Sequence, residues 1–453
     1  MSKIISFLLF IVDSFLSFLS ILILSLLYNV AKFFKPHHKL KKRILFIDTS
    51  YSYNMLVKTH QEQSIIQRDL CGFFEKAYTL HPIVGAHPKD KLDSFNGKYR
   101  FIIMNERHTF IECKIDFSSR LKALPRINFI LSQSALLFRM RNLIIKESIS
   151  VVRGNDPFLT GLYAYLLSRT TNAFFAMRIG ANHDLLYQNG IISFKTIFRW
   201  YFIEKIIARH LFPRAALVFA ATQNYLNYAL NNGAAYDRSF VTRFGNILDP
   251  AHYTELKTRT IRRKELPFAD RRYGVYVGRL AKVKHAEDLV DVALAVKKNH
   301  PEALIVLIGN GPLEQEMKIK AKDLNCADSI CFFGNSNQEQ ISILLACASA
   351  YLSPHSGRAL IEAALAGIPL IAYDFEWQGE MVKQGVTGEL VAYRDCNAMA
   401  KSFCRILDDT AYAENLGKEA RKLALDMADS VKIKNLEKDK YINLFNSKKN
   451  DQL

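Results

Sequence analysis

Glycines and basic side chains follow an apolar run in the second half of the chain, an arrangement suited to binding phosphate. Gly278 and Arg279 come directly after Tyr276-Val277, and Lys284 stands just before a segment with helical periodicity. Amide groups at a helix N-terminus and two nearby cations all attract negative charge. Gly278, Arg279 and Lys284 therefore predict a diphosphate site. The alternative interpretation is two surface cations that fall here by chance.

A loop with two glycines follows the next apolar run. Gly309 and Gly311 match the start of the G-x-G-x-x-G dinucleotide fingerprint, but Glu314 takes the place of the third glycine. The pair still permits a tight turn and a close approach of the backbone to a ligand. We therefore assign Gly309 and Gly311 to ligand binding, with a plain turn between strand and helix as the alternative.

A third loop precedes a segment predicted to be a helix from residue 359. Ser356, Gly357 and Arg358 offer backbone amides at the positive end of that helix. Glu362 lies one turn further on, among Ala, Leu and Ile residues. An ionised carboxylate accepts two hydrogen bonds at once, so Glu362 suits the two cis hydroxyls of a ribose. The alternative is a glutamate on a solvent-facing surface.

The first half of the chain offers a second set of polar residues after apolar runs. Asn182 and His183 are candidates for positioning an acceptor hydroxyl, with Asp184 orienting the imidazole. Arg178 and the pair Asn155-Asp156 are assigned to the same acceptor side. A histidine in this position is alternatively just a polar loop residue.

The apolar runs that carry these loops alternate with helical segments from Arg43 onward, which is typical of parallel sheets covered by helices. Ligands of such sheets bind beyond the carboxyl ends of the strands. The predicted fold class is α/β, with two Rossmann-like doubly wound domains. The predicted strands are 43–48, 100–104, 149–153, 174–179, 215–220 and 240–244 in the first domain, and 274–278, 303–309, 329–334, 350–353, 369–373 and 389–392 in the second.

Changes in composition suggest the domain boundaries. Residues 43–252 are predicted to form the first domain and residues 273–422 the second. The polar, charged stretch 253–272 is predicted to link them, and residues 423–453 to form a closing helix and tail. Residues 1–42 are predicted to be an N-terminal membrane anchor with a basic flank.

The composition limits the class of protein. The 453 residues include 61 Lys and Arg against 43 Asp and Glu, a net charge of +18, which favours anionic partners. Hydrophobic residues at 49% and charged residues at 23% exclude a disordered chain and a multi-span membrane protein. The sequence contains no recognised zinc or nucleic-acid-binding motif, so nucleic acid is not a predicted partner.

The predicted anchor is the apolar stretch from Ile4 to Tyr28, which as a helix would be about 37 Å long against a hydrocarbon core of about 30 Å. Asp13 is the objection, because its charge costs about 3 kcal/mol near the bilayer centre. An in-plane helix and a cleaved signal peptide are the alternatives. Six basic residues from Lys32 to Arg43 place the remaining chain in the cytoplasm by the positive-inside rule, although they would also suit a solvated linker. Seven cysteines without a C-x-x-C pair agree with a reducing compartment.

From about Tyr273 to Asp409 the sequence resembles the C-terminal domain of the family-4 retaining glycosyltransferases, which have the two-domain GT-B architecture. The N-terminal half resembles the family more loosely, at 153–157, 178–184, 221–222 and 243–249. The matches in the second half are Val277-Gly278-Arg279-Leu280 with Lys284, Gly309-x-Gly311-Pro312, Phe333-Gly334, the block from Gly357 through Glu362 to Pro369, and Glu380 before Gly385-x-x-Gly388.

The resemblance implies a role for each loop. Arg279 and Lys284 would bind the diphosphate of a nucleotide-sugar donor, Glu362 the ribose, and the amides around Gly357 the phosphates or the sugar. Stabilisation of an anionic leaving group in this way is usually a large catalytic contribution. The family generally needs no metal ion, and this sequence has no D-x-D pair, so neither a metal nor another cofactor is expected.

The sequence departs from the family at two places. Most members carry a second glutamate eight positions before the ribose glutamate, touching the donor sugar, and here that position is Pro354. His355 or Arg358 is the candidate to contact the sugar or phosphate instead. The loop 48–53 after the first strand also lacks the glycines that many members have at their acceptor site, so a different acceptor is expected.

The leading prediction is a membrane-anchored hexosyltransferase. It would transfer a sugar with retention from a nucleotide sugar to a lipid-linked or cell-envelope glycan acceptor, at the cytoplasmic membrane face. Two alternatives stay open. One is another GT-B activity, such as a nucleotide-sugar epimerase. The other is a non-catalytic nucleotide-sugar-binding scaffold, because Pro354 stands where a sugar-contacting glutamate is expected.

Overall fold

A computed structural model describes residues 9–20, 22, 30, 40–58, 61–86, 95–188, 190, 200–243, 248–355 and 357–450. The chain divides into two compact units. Unit 1 contains residues 1–221, 225–242 and 434–453, and unit 2 contains residues 222–224 and 243–433. The boundary therefore lies near residue 242, about ten residues before the predicted one.

Unit 1 is built on an eight-stranded sheet with the order β3-β4-β2-β1-β5-β6-β7-β8. All neighbouring strands are parallel except β3 and β4, which pair antiparallel. The strands are β1 Lys41–Ile47, β2 Lys76–Val84, β3 Tyr99–Ile103, β4 His108–Lys114, β5 Ile149–Gly154, β6 Phe174–Ile179, β7 Leu217–Ala220 and β8 Ser239–Val241.

Helices cover this sheet, and its buried apolar residues include Phe46, Val151 and Phe219. The C-terminal helix α17 contributes to that core through Tyr441, whose ring contacts Phe74 and Phe219. The helices are α1 (residues 9–20), α2 Tyr53–Lys58, α3 Glu62–Ile66, α4 Pro125–Lys146, α5 Leu159–Thr170, α6 His183–Gln188, α7 Tyr201–Leu211, α8 Gln223–Asn231 and α17 Ser430–Asn450.

Unit 2 is built on a six-stranded parallel sheet with the order β11-β10-β9-β12-β13-β14, which is the doubly wound order of Rossmann folds. Five of its strands are completely or largely buried because helices lie on both faces, whereas β11 at the edge is mostly half-buried. The strands are β9 Tyr273–Val277, β10 Leu304–Ile308, β11 Ile330–Gly334, β12 Ala350–Ser353, β13 Leu370–Tyr373 and β14 Gly388–Val391.

The helices of unit 2 begin with α9, which lies in the stretch predicted as a linker. They are α9 Leu256–Thr260, α10 Asp288–Lys297, α11 Glu314–Asp323, α12 Gln338–Ala346, α13 Ala359–Leu365, α14 Gln378–Met381, α15 Cys396–Asp408 and α16 Thr410–Met427. Residues 253–272 are not a free linker. Arg263 donates to the carbonyl of Cys347 at 2.7 Å and to that of Arg271 at 2.8 Å, which ties the stretch into unit 2.

The structure confirms all twelve predicted strands and adds two that the sequence analysis missed. The missed strands, β2 and β4, carry polar residues that are buried in the sheet. Glu112 on β4 accepts hydrogen bonds from Arg100 Nε and from the backbone N–H of Tyr53, both at 2.7 Å. Because these partners are distant in sequence, the local pattern of β4 does not look like a buried strand.

The N-terminal helix α1 packs against unit 1 through its polar side. Asp13 is 3% exposed, and its carboxylate accepts the backbone N–H groups of Arg126 and Ile127 at 3.1 and 3.0 Å. These amides belong to the first turn of α4, whose own N-cap residue, Leu124, provides no side-chain cap. Asp13 therefore caps α4 from another helix.

The predicted membrane-spanning anchor is not confirmed. Among the described residues, no helix is long and apolar enough to cross a membrane. Of the predicted span, residues 4–8, 21 and 23–28 lie outside the described residues. In the described part of the span, Asp13 and Ser17 are 3% and 6% exposed because they face other protein atoms. These polar residues are therefore not surrounded by lipid.

Candidate functional site

The candidate site lies where strand order reverses in the sheet of unit 2. The connections from β9 and β12, which are neighbours in the sheet, leave in opposite directions, so a crevice opens beyond their carboxyl ends. A cavity of about 260 Å³ occupies this place. The residues that line it are Tyr276, Val277, Gly278, Lys284, Gln338, Ile341, His355, Gly357, Arg358, Ala359 and Glu362.

Lys284 is the cation that the short 3₁₀ turn Lys282–Lys284 brings to the cavity. Burial lowers the pKa of this lysine, the charge of Glu376 raises it, and that of Arg279 lowers it again. Lys284 is thus positioned for an anionic ligand. Arg279 was predicted to share this role; it is exposed and is not among the cavity-lining residues, although its charge acts on Lys284.

Arg358 and Glu362 face the cavity from the start of α13. Their Nε and Oε1 atoms are 2.8 Å apart, one helical turn from each other, and the Glu362 side chain is 3% exposed. The buried ring of His252 lies beside this pair, with Nε2 3.9 Å from Glu362 and 2.9 Å from Gln338 Oε1. Glu362 is therefore a buried carboxylate with a charged partner, rather than a glutamate on a solvent face.

The predicted glycines bring backbone close to backbone at the edge of this crevice. Gly309 has a φ of +120°, and a Cβ there would overlap the carbonyl oxygen of Gly278. Gly311 meets the backbone of Leu280 in the same way. Gly278 and Gly357 line the cavity directly, whereas Gly309 and Gly311 shape the adjoining loop. Ser356 lies outside the described residues.

The corresponding position in unit 1 lies between β1 and β5 and holds a polar network. Asp48 follows β1 and pairs with Arg68 Nη2 at 2.8 Å, while Asn155, which follows β5, donates to Asp48 Oδ2 at 2.7 Å. Burial alone would raise the pKa of Asp48, but Arg68 and the hydrogen bond from Ser50 outweigh it and lower that pKa. Asp48 and Arg68 were not predicted as site residues.

The other predicted acceptor-side residues have partners within unit 1. Asp156 accepts from the backbone N–H of Phe158 at 2.8 Å and from the Thr160 hydroxyl at 2.6 Å, and burial raises its pKa to about 6. Arg178 lies near Thr242, with Nη2 to the carbonyl oxygen at 3.4 Å, and burial lowers its pKa to about 10.

His183 and Asn182 stand at the start of α6. His183 is 8% exposed, and its ring packs against Phe158 and Tyr228 at centroid distances of 4.6 and 5.6 Å. The Asn182 side chain accepts the backbone N–H of Leu185 at 3.2 Å, as a helix cap does. Asp184 faces Lys205, at 3.2 Å, so in this structure it serves an ion pair.

Two residues near the cavity were not predicted as site residues, Gln338 and Glu376. Gln338 begins α12 and lines the cavity, and its Oε1 atom is 2.9 Å from His252 Nε2. Glu376 follows β13 and is 3.1 Å from the ring of His355. A residue three positions beyond a strand end is a signal that could have identified Glu376. Among the described residues, no group of three or more His, Cys, Asp or Glu side chains is arranged to hold a metal ion.

Comparison with known proteins agrees with this geometry. Residues 257–423 match the sequence family described as glycosyl transferases group 1. A glycogen synthase of Mycobacterium tuberculosis is 30% identical over 166 residues, which are 34% of this chain and 40% of the relative. A GDP-mannose-dependent alpha-(1-6)-phosphatidylinositol monomannoside mannosyltransferase of the same organism is 26% identical over 185 residues, 38% of this chain and 46% of the relative.

These matches support similarity of residues 257–423 to the glycosyltransferase group 1 family. The chain spans less than half the length of the curated relatives just described, and the region of similarity contains every residue that lines the cavity.

Solved structures resemble the chain over nearly its whole length. The sucrose-phosphate synthase of Thermosynechococcus elongatus has a TM-score of 0.68 at 18% identity, covering 89% of this chain and 99% of its own. HepE of Anabaena, solved with UDP and glucose, has a TM-score of 0.65 at 18% identity, covering 88% and 99%. The chain therefore has the two-domain α/β fold of GT-B type.

Proposed function

We propose that this protein is a hexosyltransferase that uses a nucleotide-sugar donor and transfers the sugar with retention to a lipid-linked or cell-envelope glycan acceptor. The observation that carries the proposal is the cavity at the strand reversal of unit 2. It contains a cation from one loop, Lys284, and a buried carboxylate from another, Glu362. A diphosphate and a ribose diol require these two kinds of group.

The arrangement supports catalysis by stabilising the leaving group. When the bond between sugar and diphosphate breaks, negative charge grows on the diphosphate, and fixed cations in a partly dry cavity favour that change. Lys284 and Arg358 are the cations that line the cavity. We expect no metal requirement, so donor turnover should persist in EDTA.

The relatives support the same donor class. HepE of Anabaena was solved with UDP and with UDP-glucose, and one mannosyltransferase relative is described as GDP-mannose-dependent. The base therefore needs a direct measurement. Thermal unfolding of the full chain with UDP, GDP or ADP should show a higher melting temperature with one of them, because a ligand that binds the folded state stabilises it.

The site assignment is tested by sugar release from the donor selected in this way. Glu362→Ala and Lys284→Ala should each reduce release strongly, whereas the exposed residues Lys282 and Glu316 provide matched controls as Lys282→Ala and Glu316→Ala. Equal release by all four variants would disprove the assignment. A wild-type chain that binds one diphosphate and never releases sugar would instead be a non-catalytic binding protein.

We further propose that the enzyme works at the cytoplasmic membrane face, with α1 bound in the plane of the bilayer. The outer side of α1 exposes large apolar residues, with Phe15 and Phe18 at 65% and 68% exposure, while Asp13 fixes the inner side to α4. Arg120, Lys122 and Arg126 are exposed around the start of α4. Apolar side chains beside cations match an anionic bilayer surface.

Flotation with lipid vesicles tests this location. The full chain should float with vesicles of phosphatidylglycerol and phosphatidylcholine, and less with phosphatidylcholine alone. The double variant Phe15→Ser, Phe18→Ser should lose most of this binding, whereas Ile319→Ser, an equally exposed apolar residue of unit 2, should not. Binding that is unchanged in the double variant would rule out α1 as the attachment site.

A further inference from the structure

His355, the residue after Pro354, connects two loops near the cavity of unit 2. His355 lines that cavity, and its side chain is 7% exposed. Its Nδ1 atom is 2.7 Å from the carbonyl oxygen of Val283, and its Nε2 atom is 3.1 Å from Glu376 Oε2. One imidazole ring thus joins the turn that carries Lys284 to the loop that follows β13.

The hydrogen bonds of this ring determine how many protons the pair holds. A carbonyl oxygen only accepts, so Nδ1 carries a proton and donates it to Val283. The contact between Nε2 and Glu376 then needs one more proton, either on the ring or on the carboxyl group.

Glu376 occupies a backbone conformation that its residue type rarely adopts. Its φ is +52°, in the left-handed region where glycine is favoured, and its side chain is 1% exposed. A strained position with a buried charge is retained where the surrounding structure uses it. Here the carboxylate lies close enough to Lys284 for its charge to raise the pKa of that lysine, against the lowering by burial.

We propose that His355 and Glu376 are positioning residues for Lys284. His355 holds the Lys284 turn through Val283, and Glu376 holds the ring of His355. The ammonium group is thereby fixed toward the donor diphosphate. This inference rests on the proposed function, since it requires that Lys284 binds that diphosphate.

Affinity measurements on full-length variants test the inference, with the nucleoside diphosphate that stabilises the wild type as the probe. Glu376→Gln keeps the length of the side chain and should weaken diphosphate binding about tenfold, the loss of one charge-assisted contact. Glu376→Asp keeps the charge and tolerates positive φ better, and should stay within about threefold of the wild type. The matching nucleoside without phosphate should bind all these variants equally.

A double-mutant cycle distinguishes positioning from general stability. If Glu376 acts through Lys284, Glu376→Gln should cause no further loss of diphosphate affinity in the Lys284→Ala background.

Three outcomes are separable. A wild type that binds none of the three diphosphates overturns the proposed function itself. A wild type that binds one of them, with Glu376→Gln equal to it, overturns the positioning inference and leaves the proposed function in place. The inference would also be overturned if Glu376→Gln lowered the diphosphate affinity equally in the wild type and in the Lys284→Ala background.

Discussion

The strand order reverses at corresponding places in the two sheets. Polar side chains near the reversal line a cavity in unit 2, whereas in unit 1 they contact one another. In unit 2 the loops after β9 and β12 direct Lys284, Arg358 and Glu362 to the walls of a cavity. In unit 1 the loops after β1 and β5 direct Asp48 and Asn155 to each other, with Arg68 completing the network. The same topology thus places Lys284 and the Arg358–Glu362 ion pair on the walls of a cavity in unit 2, and a hydrogen-bonded network in unit 1.

The difference has a physical consequence for mutations. Removing one member of a buried network leaves its partner with an unpaired charge or an unsatisfied hydrogen-bonding group. This lowers the stability of the fold. Removing a group that faces a cavity mainly changes what the cavity binds. Changes in unit 1 should therefore be detected by unfolding, and changes in unit 2 by ligand binding, apart from the glycines that shape its loops.

The largest effect is expected from Gly309→Ala, because a Cβ at this positive φ would overlap the carbonyl oxygen of Gly278. The free energy of unfolding should fall by about 4 kcal/mol, in the range of severe backbone clashes. Urea denaturation measures it. Gly180→Ala is the control in unit 1, since nothing lies within 4 Å of a Cβ there, and it should be close to neutral. Similar losses for both would contradict this account.

Asp48→Ala should destabilise unit 1 by about 3 to 4 kcal/mol, because it leaves Arg68 largely buried without its carboxylate. Urea denaturation again gives the value, and diphosphate affinity should stay within about twofold of the wild type. Asp237→Ala, in an exposed ion pair with Arg238, is the matched control. Loss of diphosphate binding without loss of stability would remove the distinction between the units.

The pH dependence of stability should separate Asp156 from Asp48. Burial raises the pKa of Asp156 from 3.8 to about 6, so the folded state binds its proton more tightly, and stability should fall as pH rises from about 4 to 6. The shift corresponds to about 3 kcal/mol, which Asp156→Asn should abolish.

The pKa of Asp48 is lowered, so its contribution to stability is present above pH 4 and is lost only below that. Chemical denaturation across pH 3 to 7 checks both signs. A wild type and Asp156→Asn that change in parallel would show that Asp156 is ionised normally.

Lys284→Ala should weaken binding of the nucleoside diphosphate on the order of 100-fold, about 2.7 kcal/mol, with little change in melting temperature. Isothermal titration measures the affinity, and Lys282→Ala, on the same turn but exposed, serves as the control. If both variants bind like the wild type, the cavity of unit 2 does not hold the diphosphate through Lys284.

The sequence predicted most strands of the two sheets and most of the loops around the cavity of unit 2, because these depend on local pattern. Apolar runs followed by glycine or charge identified twelve strands and the residues Lys284, Arg358 and Glu362 as neighbours of one crevice. Parallel strands carry their carboxyl ends to one edge, so the order of motifs was enough to place them together.

The tertiary structure alone decided the roles of polar residues that look out of place in sequence. Asp13 interrupts an apolar stretch and caps a helix more than a hundred residues away. Glu112 interrupts a strand and binds Arg100 across the sheet. Glu376 meets His355 because β12 and β13 are neighbours in the sheet. A buried charge is stable only with its partners, and the fold, not the adjacent sequence, supplies them.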